Sequence, residues 1–383
     1  MSYQPFCYIS PTEYCFSDDY LESIRQKLQH YKPRKLFVLA SARGFSLVSG
    51  LLEEMEQSYY WKSGCMANPT AQFVDACAEE LGKNGCDFLL GIGGGSTIDA
   101  MKATALLAAN PEAGGCWNLI DGTYQPEHPA LPMGVVVTIP STGSEANSSC
   151  VISSWECQEK SIYTQDSLYP VFAITSPSLT YTLPPHQTAA GAADILSHLL
   201  ETYLHGDEGV ELSDNLLLGA MAAVVKWAPV CLRDPENYDG RANLLWASYL
   251  AMNRTFGVGH SENWICHMVE HTLSAKYDLT HGVGMAMILP AYIRTLCGDA
   301  IEHRLSRLSR EVFDGEGEPA WKLLREFFDR LCLPCTLSEA NLRPSQQELQ
   351  ECAEKSTAWG PVTVNGLSPF TQQDAYTLLQ SIC

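Results

Sequence analysis

The distribution of apolar residues changes at Pro184-Pro185, and this change constrains the fold more than any other feature. Before it, short β-rich runs predict strands at 35–40, 87–91, 134–139 and 171–175, with helical periodicity at 71–81 and 97–109 between them. After it, five segments predict helices with no convincing strand between them: 189–204, 215–230, 242–252, 264–274 and 318–331. Strands that alternate with helices indicate a parallel sheet covered by helices. We therefore predict an α/β domain over residues 1–184 and an all-helical domain over residues 185–383.

The composition narrows the class of protein. The chain has 383 residues, and 46% of them are hydrophobic, which is enough for a sizeable core. A formal net charge of −20 disfavours nucleic acid and anionic membranes as partners. We find neither a signal peptide nor an apolar run of membrane-spanning length, and the 15 scattered cysteines are typical of reduced thiols. Cys332 and Cys335 have redox-motif spacing but no thioredoxin-like context. These features predict a cytoplasmic enzyme.

A glycine-rich segment, Gly91 to Asp99, follows the second predicted strand and opens a helix. Gly93, Gly94 and Gly95 let the backbone approach an anion, and Ser96 adds a hydroxyl donor. The segment is neither the ordinary dinucleotide fingerprint nor a P-loop. A tight strand-to-helix turn is the alternative, but such a turn needs only one or two glycines. The segment therefore predicts a pyrophosphate site.

A second polar loop, Thr138 to Glu145, follows the third predicted strand. Its hydroxyl groups are expected at the edge of the sheet where parallel strands end and ligands bind. On its own the loop is equally consistent with a generic turn rich in serine and threonine.

Histidines and an aspartate recur at helical spacing in the second half of the chain. Asp194 and His198 are four residues apart, as are His267 and His271, and His281 follows ten residues later. Imidazoles with one carboxylate suit Zn²⁺ or Fe²⁺ better than Ca²⁺ or Mg²⁺. Spacing alone would pair His267 with His271 as joint ligands.

Together these motifs resemble the iron-containing alcohol dehydrogenase family, in particular its branch of butanol dehydrogenases and NADPH-dependent aldehyde reductases. The resembling segments are 91–102 (GIGGGSTIDAMK), 138–147 (TIPSTGSEAN), 170–203 and 267–290, in the family's order. The resemblance implies a Rossmann-like parallel sheet followed by an all-α C-terminal domain, as in the dehydroquinate synthase-like fold.

The resemblance also assigns roles to residues. It implies that Asp194, His198, His267 and His281 bind the metal and that His271 is catalytic, near the nicotinamide and the substrate. From the motifs and the resemblance together, we expect a cofactor site formed by Ser41, Arg43, Gly93, Gly94, Gly95, Ser96, Asp99, Thr138, Ser141, Thr142, Ser144, Asn147, Lys160 and Thr182. His186, His205 and His260 lie outside the family pattern, and we expect them to be surface or capping residues.

The implied reaction is the interconversion of aldehydes and primary alcohols by a homodimeric enzyme. One Fe²⁺ or Zn²⁺ ion would polarise the carbonyl, NAD(P)H would deliver hydride, and His271 would relay the proton. NADP(H) is favoured over NAD(H), because no acidic residue follows the strand at 35–40, where Ser41 and Arg43 stand instead. The Gly-Gly-Gly-Ser loop usual in this branch is absent there. A glycerol dehydrogenase- or dehydroquinate synthase-like enzyme and a catalytically silent homologue stay open as alternatives.

Overall fold

A computed structural model describes residues 6–260, 263–297, 301–358, 362 and 369–383. The chain divides into two compact units, Ile9–Thr182 and Leu183–Cys383, and residues 6–8 belong to the second. In that second unit the Tyr8 hydroxyl lies 2.7 Å from Thr255 Oγ1. The predicted division after residue 184 did not anticipate that the N-terminal residues join the C-terminal unit.

The first unit is built on a six-stranded, wholly parallel sheet. Its strands are β1 (Glu13–Phe16), β2 (Leu36–Ala40), β3 (Tyr59–Lys62), β4 (Phe88–Gly93), β5 (Met133–Val137) and β8 (Phe172–Thr175). Their order across the sheet is β1-β8-β5-β4-β2-β3. An antiparallel pair, β6 (Ser149–Ser154) and β7 (Glu159–Thr164), lies outside it. The helices are α1 (Tyr20–Tyr31), α2 (Ala42–Ser46), α3 (Ser49–Glu54), α4 (Ala71–Asn84), α5 (Gly95–Ala109) and α6 (Cys116–Ile120).

Burial explains which strands the sequence predicts. The four predicted strands correspond to β2, β4, β5 and β8, which occupy the centre of the sheet and are buried along nearly their whole length. The edge strands β1 and β3 are only partly buried, so they contain no continuous apolar run. The predicted parallel α/β architecture is confirmed, but these two edge strands were not predicted.

The regular elements described in the second unit are helices, beside one isolated antiparallel bridge between Val362 and Phe370. Its helices are α7 (Pro185–Leu204), α8 (Glu211–Arg233), α9 (Tyr238–Met252), α10 (Ile265–Tyr277), α11 (His281–Thr295), α12 (Glu302–Phe313), α13 (Ala320–Arg330), α14 (Gln346–Ser356) and α15 (Gln372–Ser381). Helix α7 is buried from Thr188 to Leu204 and packs against α8 and α11. The all-α prediction for this half is confirmed, although α11, α12, α14 and α15 were not predicted individually. In α11, Gly282, Gly284 and Pro290 interrupt the helical pattern.

Helix α8 is long and apolar enough to cross a membrane by length and composition, the one such helix among the described residues. Its Leu217, Met221 and Val224 are fully buried in the core of the helical unit, and it packs against α7 and α9. One third of its most apolar stretch is buried, and the exposed Leu212 and Leu216 lie near its start. No apolar run of membrane-spanning length is predicted from the sequence.

The close approach of α11 to α7 depends on Gly282. A Cβ atom added at Gly282 would lie 2.0 Å from the backbone oxygen of Ala190, a group that cannot move without shifting α7. We predict that Gly282→Ala destabilises the protein by about 1–3 kcal/mol or more, because it overpacks a backbone contact.

Gly219 provides the matched control in the same unit, since a Cβ added there meets nothing within 4 Å. Gly219→Ala should leave stability unchanged or raise it by up to about 1 kcal/mol. Urea unfolding of both variants measures the difference. Equal midpoints for Gly282→Ala and the parent protein would contradict the packing argument.

Candidate active site

Three loops of the α/β unit leave neighbouring strands at the same edge of the sheet. Ser41 follows β2, Gly94 follows β4 and Thr138 follows β5. The register places Ala40 beside Ile92 and Gly93 beside Val137, so these strands end level with one another. The carboxyl edge of a parallel sheet is where ligands bind in open α/β folds.

The glycine-rich segment at 91–99, here called the glycine loop, packs tightly against the polar loop at 138–145, here called the Ser/Thr loop. A Cβ atom at Gly95 would lie 2.3 Å from Thr142 Oγ1, and one at Gly93 would lie 2.4 Å from Thr97 Oγ1. Gly94 faces Ile139 and forms the N-cap of α5, which no side chain caps. The absence of side chains therefore lets the two loops meet at the start of a helix, an arrangement suited to a phosphate group.

Asp99 and the buried Lys102 fix the second loop from within α5. Ser144 Oγ donates a 2.6 Å hydrogen bond to Asp99 Oδ1, and the Val151 N–H donates to Asp99 Oδ2. Lys102 Nζ donates to the backbone oxygens of Ser144, Asn147 and Ser149 at 2.6–2.9 Å. Burial raises the pKa of Asp99 and lowers the pKa of Lys102 to about 8, while each charge partly offsets the shift of the other.

Lys102 was not predicted as a site residue, although it stands in the resembling segment 91–102. A lysine at a helical position is usually solvated, and nothing in the local sequence shows that loop 144–149 covers it. Asp99 and Ser144 were both predicted to bind the cofactor. The structure pairs them with each other, which makes at least part of their role the ordering of this loop.

The remaining predicted cofactor residues are spread around this edge. Ser41 Oγ accepts a hydrogen bond from the Gly44 N–H at 3.0 Å and caps α2, whereas Arg43 is exposed. Lys160 Nζ donates to Asn68 Oδ1 at 3.0 Å. Thr182 is exposed beyond β8. Ser96, Thr138, Ser141 and Thr142 are half-buried.

In the helical unit, Asp194, His198, His267 and His281 converge. Asp194 and His198 lie on α7, His267 lies on α10 and His281 begins α11. Each residue offers one ligand atom, and these four atoms lie within 4.8 Å of one another. His281 Nε2 is 3.4 Å from Asp194 Oδ1. Ligands about 2.1 Å from a tetrahedral ion are about 3.4 Å apart, so the residues fit a divalent metal.

A second group, Glu270, His271 and His281, also has ligand atoms within 4.8 Å of one another. It shares His281 with the first group and lies closer to the surface, since His271 is half-buried. The ring centroids of His267 and His281 are 5.0 Å apart, and those of His267 and His271 are 6.4 Å apart. His271 is therefore beside the first group and not one of its four members.

Two buried carboxylates, Glu201 and Glu270, complete the cluster, and sequence analysis missed both. Glu201 bonds His267 Nδ1, and Glu270 bonds His281 Nδ1. Burial raises the pKa of Glu201 to about 7, although His205 and two backbone N–H groups act in the opposite direction. Burial also lowers the pKa of His198, so this imidazole favours the neutral form that metals bind. Each glutamate follows a predicted ligand of its own helix by three residues, but the histidine that it bonds lies on another helix, so local spacing gives no signal of the contact.

Three histidines were expected to be surface or capping residues, and the prediction is wrong for one of them, His260. His186 is exposed in the first turn of α7, as expected. The side chain of His260 is fully buried with Nε2 3.5 Å from Asp214 Oδ1. His205 is the C-cap residue of α7, in keeping with the prediction, but it is fully buried, and its ring nitrogens lie 2.9 Å from Asn263 O and Tyr292 Oη. Tertiary packing, which local sequence does not show, buries both.

The chain matches two family models, iron-containing alcohol dehydrogenase over residues 11–177 and the C-terminal domain of the Fe-containing alcohol dehydrogenase family over residues 188–383. NADH-dependent butanol dehydrogenase A of Clostridium acetobutylicum is 31% identical over 98% of both chains. NADPH-dependent aldehyde reductase YqhD of Escherichia coli is 30% identical over 87% of this chain and 88% of its own. The crystal structure of NADH-dependent butanol dehydrogenase A from Thermotoga maritima has a TM-score of 0.91 at 28% identity, covering 99% of this chain and 98% of that one.

The protein is therefore a metal-dependent oxidoreductase built on a parallel α/β unit and a helical unit. It belongs to the iron-containing alcohol dehydrogenase family, and the resemblance seen in its sequence motifs is confirmed. As a member of that family it interconverts alcohols and aldehydes.

The buried ammonium of Lys102 generates a prediction about the α/β unit. Lys102→Met should destabilise the protein by about 3–5 kcal/mol, because it leaves buried oxygens and Asp99 without their cation. It should also weaken NADPH binding, since loop 144–149 loses its anchor. Urea unfolding and NADPH fluorescence titration measure the two effects.

Lys83→Met is the control, because that lysine of α4 is 67% exposed in its side chain. We expect it to change stability by no more than about 0.5 kcal/mol. Parental stability and NADPH affinity in Lys102→Met would show that the buried lysine is dispensable.

Proposed function

We propose that this enzyme interconverts aldehydes and primary alcohols at a single divalent metal held by Asp194, His198, His267 and His281. The observation that carries the proposal is the convergence of these donors from three helices within 4.8 Å. When bound, the ion supplies Lewis-acid polarisation of the substrate oxygen. Three imidazoles and one carboxylate accept both Fe²⁺ and Zn²⁺.

His271 is the proposed proton-transfer residue. It lies beside the donor cluster, with its ring centroid 5.5 Å from that of His281, and it is half-buried. An imidazole titrates near neutral pH and can give a proton to the oxygen of a reduced carbonyl. Its partial exposure leaves a path for proton exchange with solvent.

The nucleotide is proposed to bind at the carboxyl edge of the sheet, where it supplies hydride. We expect the glycine loop and the hydroxyl groups of Thr138, Ser141 and Thr142 to contact its phosphates. We propose NADPH in preference to NADH, because Arg43 is an exposed cation directly after β2 and no acidic residue stands there. Curated relatives include both NADH- and NADPH-dependent enzymes.

The direct test is steady-state turnover of a panel of aldehydes with NADPH and with NADH, on protein of measured metal content. Reduction of butyraldehyde that scales with metal content supports the proposal. Activity only on glycerol, or a cyclase reaction, would favour the alternative enzymes on this fold. No turnover of any substrate at full metal occupancy would favour a catalytically silent homologue.

We also propose that the enzyme is a cytoplasmic homodimer. All 15 cysteines are free, in keeping with a reducing compartment, and the charge of −20 disfavours anionic membrane and nucleic acid. Sedimentation equilibrium measures the dimer, and a monomer mass would overturn that part of the proposal.

The proposed ligand set predicts different effects for substitutions of His271 and of the ligand histidines. We predict that His267→Ala and His281→Ala each abolish turnover and lower metal occupancy, because each removes one of four ligands. His271→Ala should keep its metal and lose rate by about 10²–10⁴-fold, the usual contribution of general acid–base catalysis. Metal analysis beside steady-state kinetics checks both expectations.

Full metal and full activity in His267→Ala or His281→Ala would refute the proposed ligand set. Equal loss of metal in His271→Ala would instead support the second group, Glu270, His271 and His281, as a metal site.

Arg43 generates the prediction about cofactor preference. Arg43→Ala should lower kcat/KM for NADPH about 10- to 100-fold, because a charge-assisted bond to the 2′-phosphate contributes about 1.5–3 kcal/mol. Activity with NADH should change little, since NADH lacks that phosphate.

Lys83→Ala, which removes an exposed positive charge elsewhere on the α/β unit, is the control and should alter neither cofactor's kinetics. An Arg43→Ala variant indistinguishable from the parent with both cofactors would remove the basis for an NADPH preference.

A further inference from the structure

We propose that Glu201 and Glu270 are positioning residues for the metal: each accepts the Nδ1–H of a ligand histidine and so directs that histidine's Nε2 toward the ion. The inference rests on the proposed metal-binding role of His267 and His281. It adds two residues, Glu201 on α7 and Glu270 on α10, whose proposed role is to act through the ligand histidines.

Glu201 joins α7 to the first turn of α10. Its side chain is fully buried. Its carboxylate accepts hydrogen bonds from the backbone N–H groups of Cys266 at 2.7 Å and His267 at 3.2 Å. The same carboxylate bonds His267 Nδ1. It therefore caps a helix that has no side-chain cap at Trp264, its own N-cap position, and fixes both the backbone and the ring of His267.

Glu270 performs the corresponding task between α10 and α11. Its side chain is also fully buried, and it bonds His281 Nδ1 and the Ser274 hydroxyl. A Cβ atom added at Gly284 would lie 2.6 Å from both Cγ and Oε1 of Glu270, so α11 closes directly over this carboxylate.

These contacts determine the tautomer of each ring. An imidazole that donates from Nδ1 keeps its lone pair on Nε2, and a carboxylate partner raises the basicity of that nitrogen. His281 Nε2 lies 3.4 Å from Asp194 Oδ1, on the side of the proposed ligands, while its Nδ1 faces Glu270. The two ring nitrogens of His281 thus lie near two different carboxylates.

The competing interpretation is that Glu270 is itself a ligand, with His271 and His281, of a second ion. The two interpretations differ in metal stoichiometry. A positioning residue alters the affinity of one site, whereas a ligand of a second site alters the number of ions bound per chain.

The test measures Co²⁺ and Zn²⁺ binding to the apo-forms of the parent, Glu201→Gln and Glu270→Gln. We expect one ion per chain in all three proteins. In each variant the dissociation constant, measured by chelator competition, should be 10- to 100-fold higher than in the parent. The visible absorption of bound Co²⁺ should also change, because ring orientation sets the ligand field. Glu351→Gln, an exposed carboxylate on α14, is the matched control and should bind as the parent does.

Parental affinity and an unchanged Co²⁺ spectrum in both variants would overturn the inference. So would a parent that binds two ions and a Glu270→Gln variant that binds one. Circular dichroism and thermal unfolding of the apo-proteins identify a variant that fails to fold, in which case the other variant decides. If the parent protein binds no metal, the proposed function fails. If the parent binds metal normally and the variants are unaffected, only the positioning role fails.

Discussion

The burial of negative charge in the helical unit is the constraint on which its functional region depends. Asp194, Glu201 and Glu270 are all buried, and carboxylates are costly to remove from water unless they are paired. Imidazole and backbone N–H groups satisfy part of this requirement for Glu201 and Glu270. A divalent cation at the proposed ligands would compensate much of the remainder. The metal is therefore expected to stabilise the packing of α7, α10 and α11 as well as the reaction.

The α/β unit buries a positive charge, and this charge must likewise be compensated by polar partners. Lys102 is a buried cation whose partners are mainly carbonyl oxygens of one loop, and the carboxylate of Asp99 holds the same loop from the next turn of α5. In each unit a few buried charged groups, and not the apolar core, determine the position of functional side chains. The core aligns strands and helices, but hydrophobic contacts are not directional enough to orient an imidazole ring or a hydroxyl group.

The sequence predicts those features that are local. Central strands such as β2 and β4 are continuous apolar runs, and four-residue spacing brings Asp194 and His198 onto one face of α7. Edge strands, the glycine-interrupted α11 and the buried His260 depend on neighbours distant in sequence. Glu201 and Lys102 were missed for the same reason, because a charged residue on a helix is ordinarily solvated. Spacing also could not separate His271 from the proposed ligands, and only the family resemblance made that distinction.

The chain is strongly acidic, so the binding of an anionic nucleotide depends on hydrogen-bond donors and cations close to its phosphates. The nearby buried cation, Lys102, faces inward to carbonyl oxygens, so it orders the loop without needing to contact a phosphate. Neutral donors from the glycine loop and the Ser/Thr loop would then carry most of the contact with the pyrophosphate. Ser41 Oγ already accepts a hydrogen bond from α2, which leaves Arg43 as the exposed charged group beside it. Arg43 has no part in the core, so in the proposed binding mode its replacement would change cofactor preference while the fold and the proposed metal ligands stay the same.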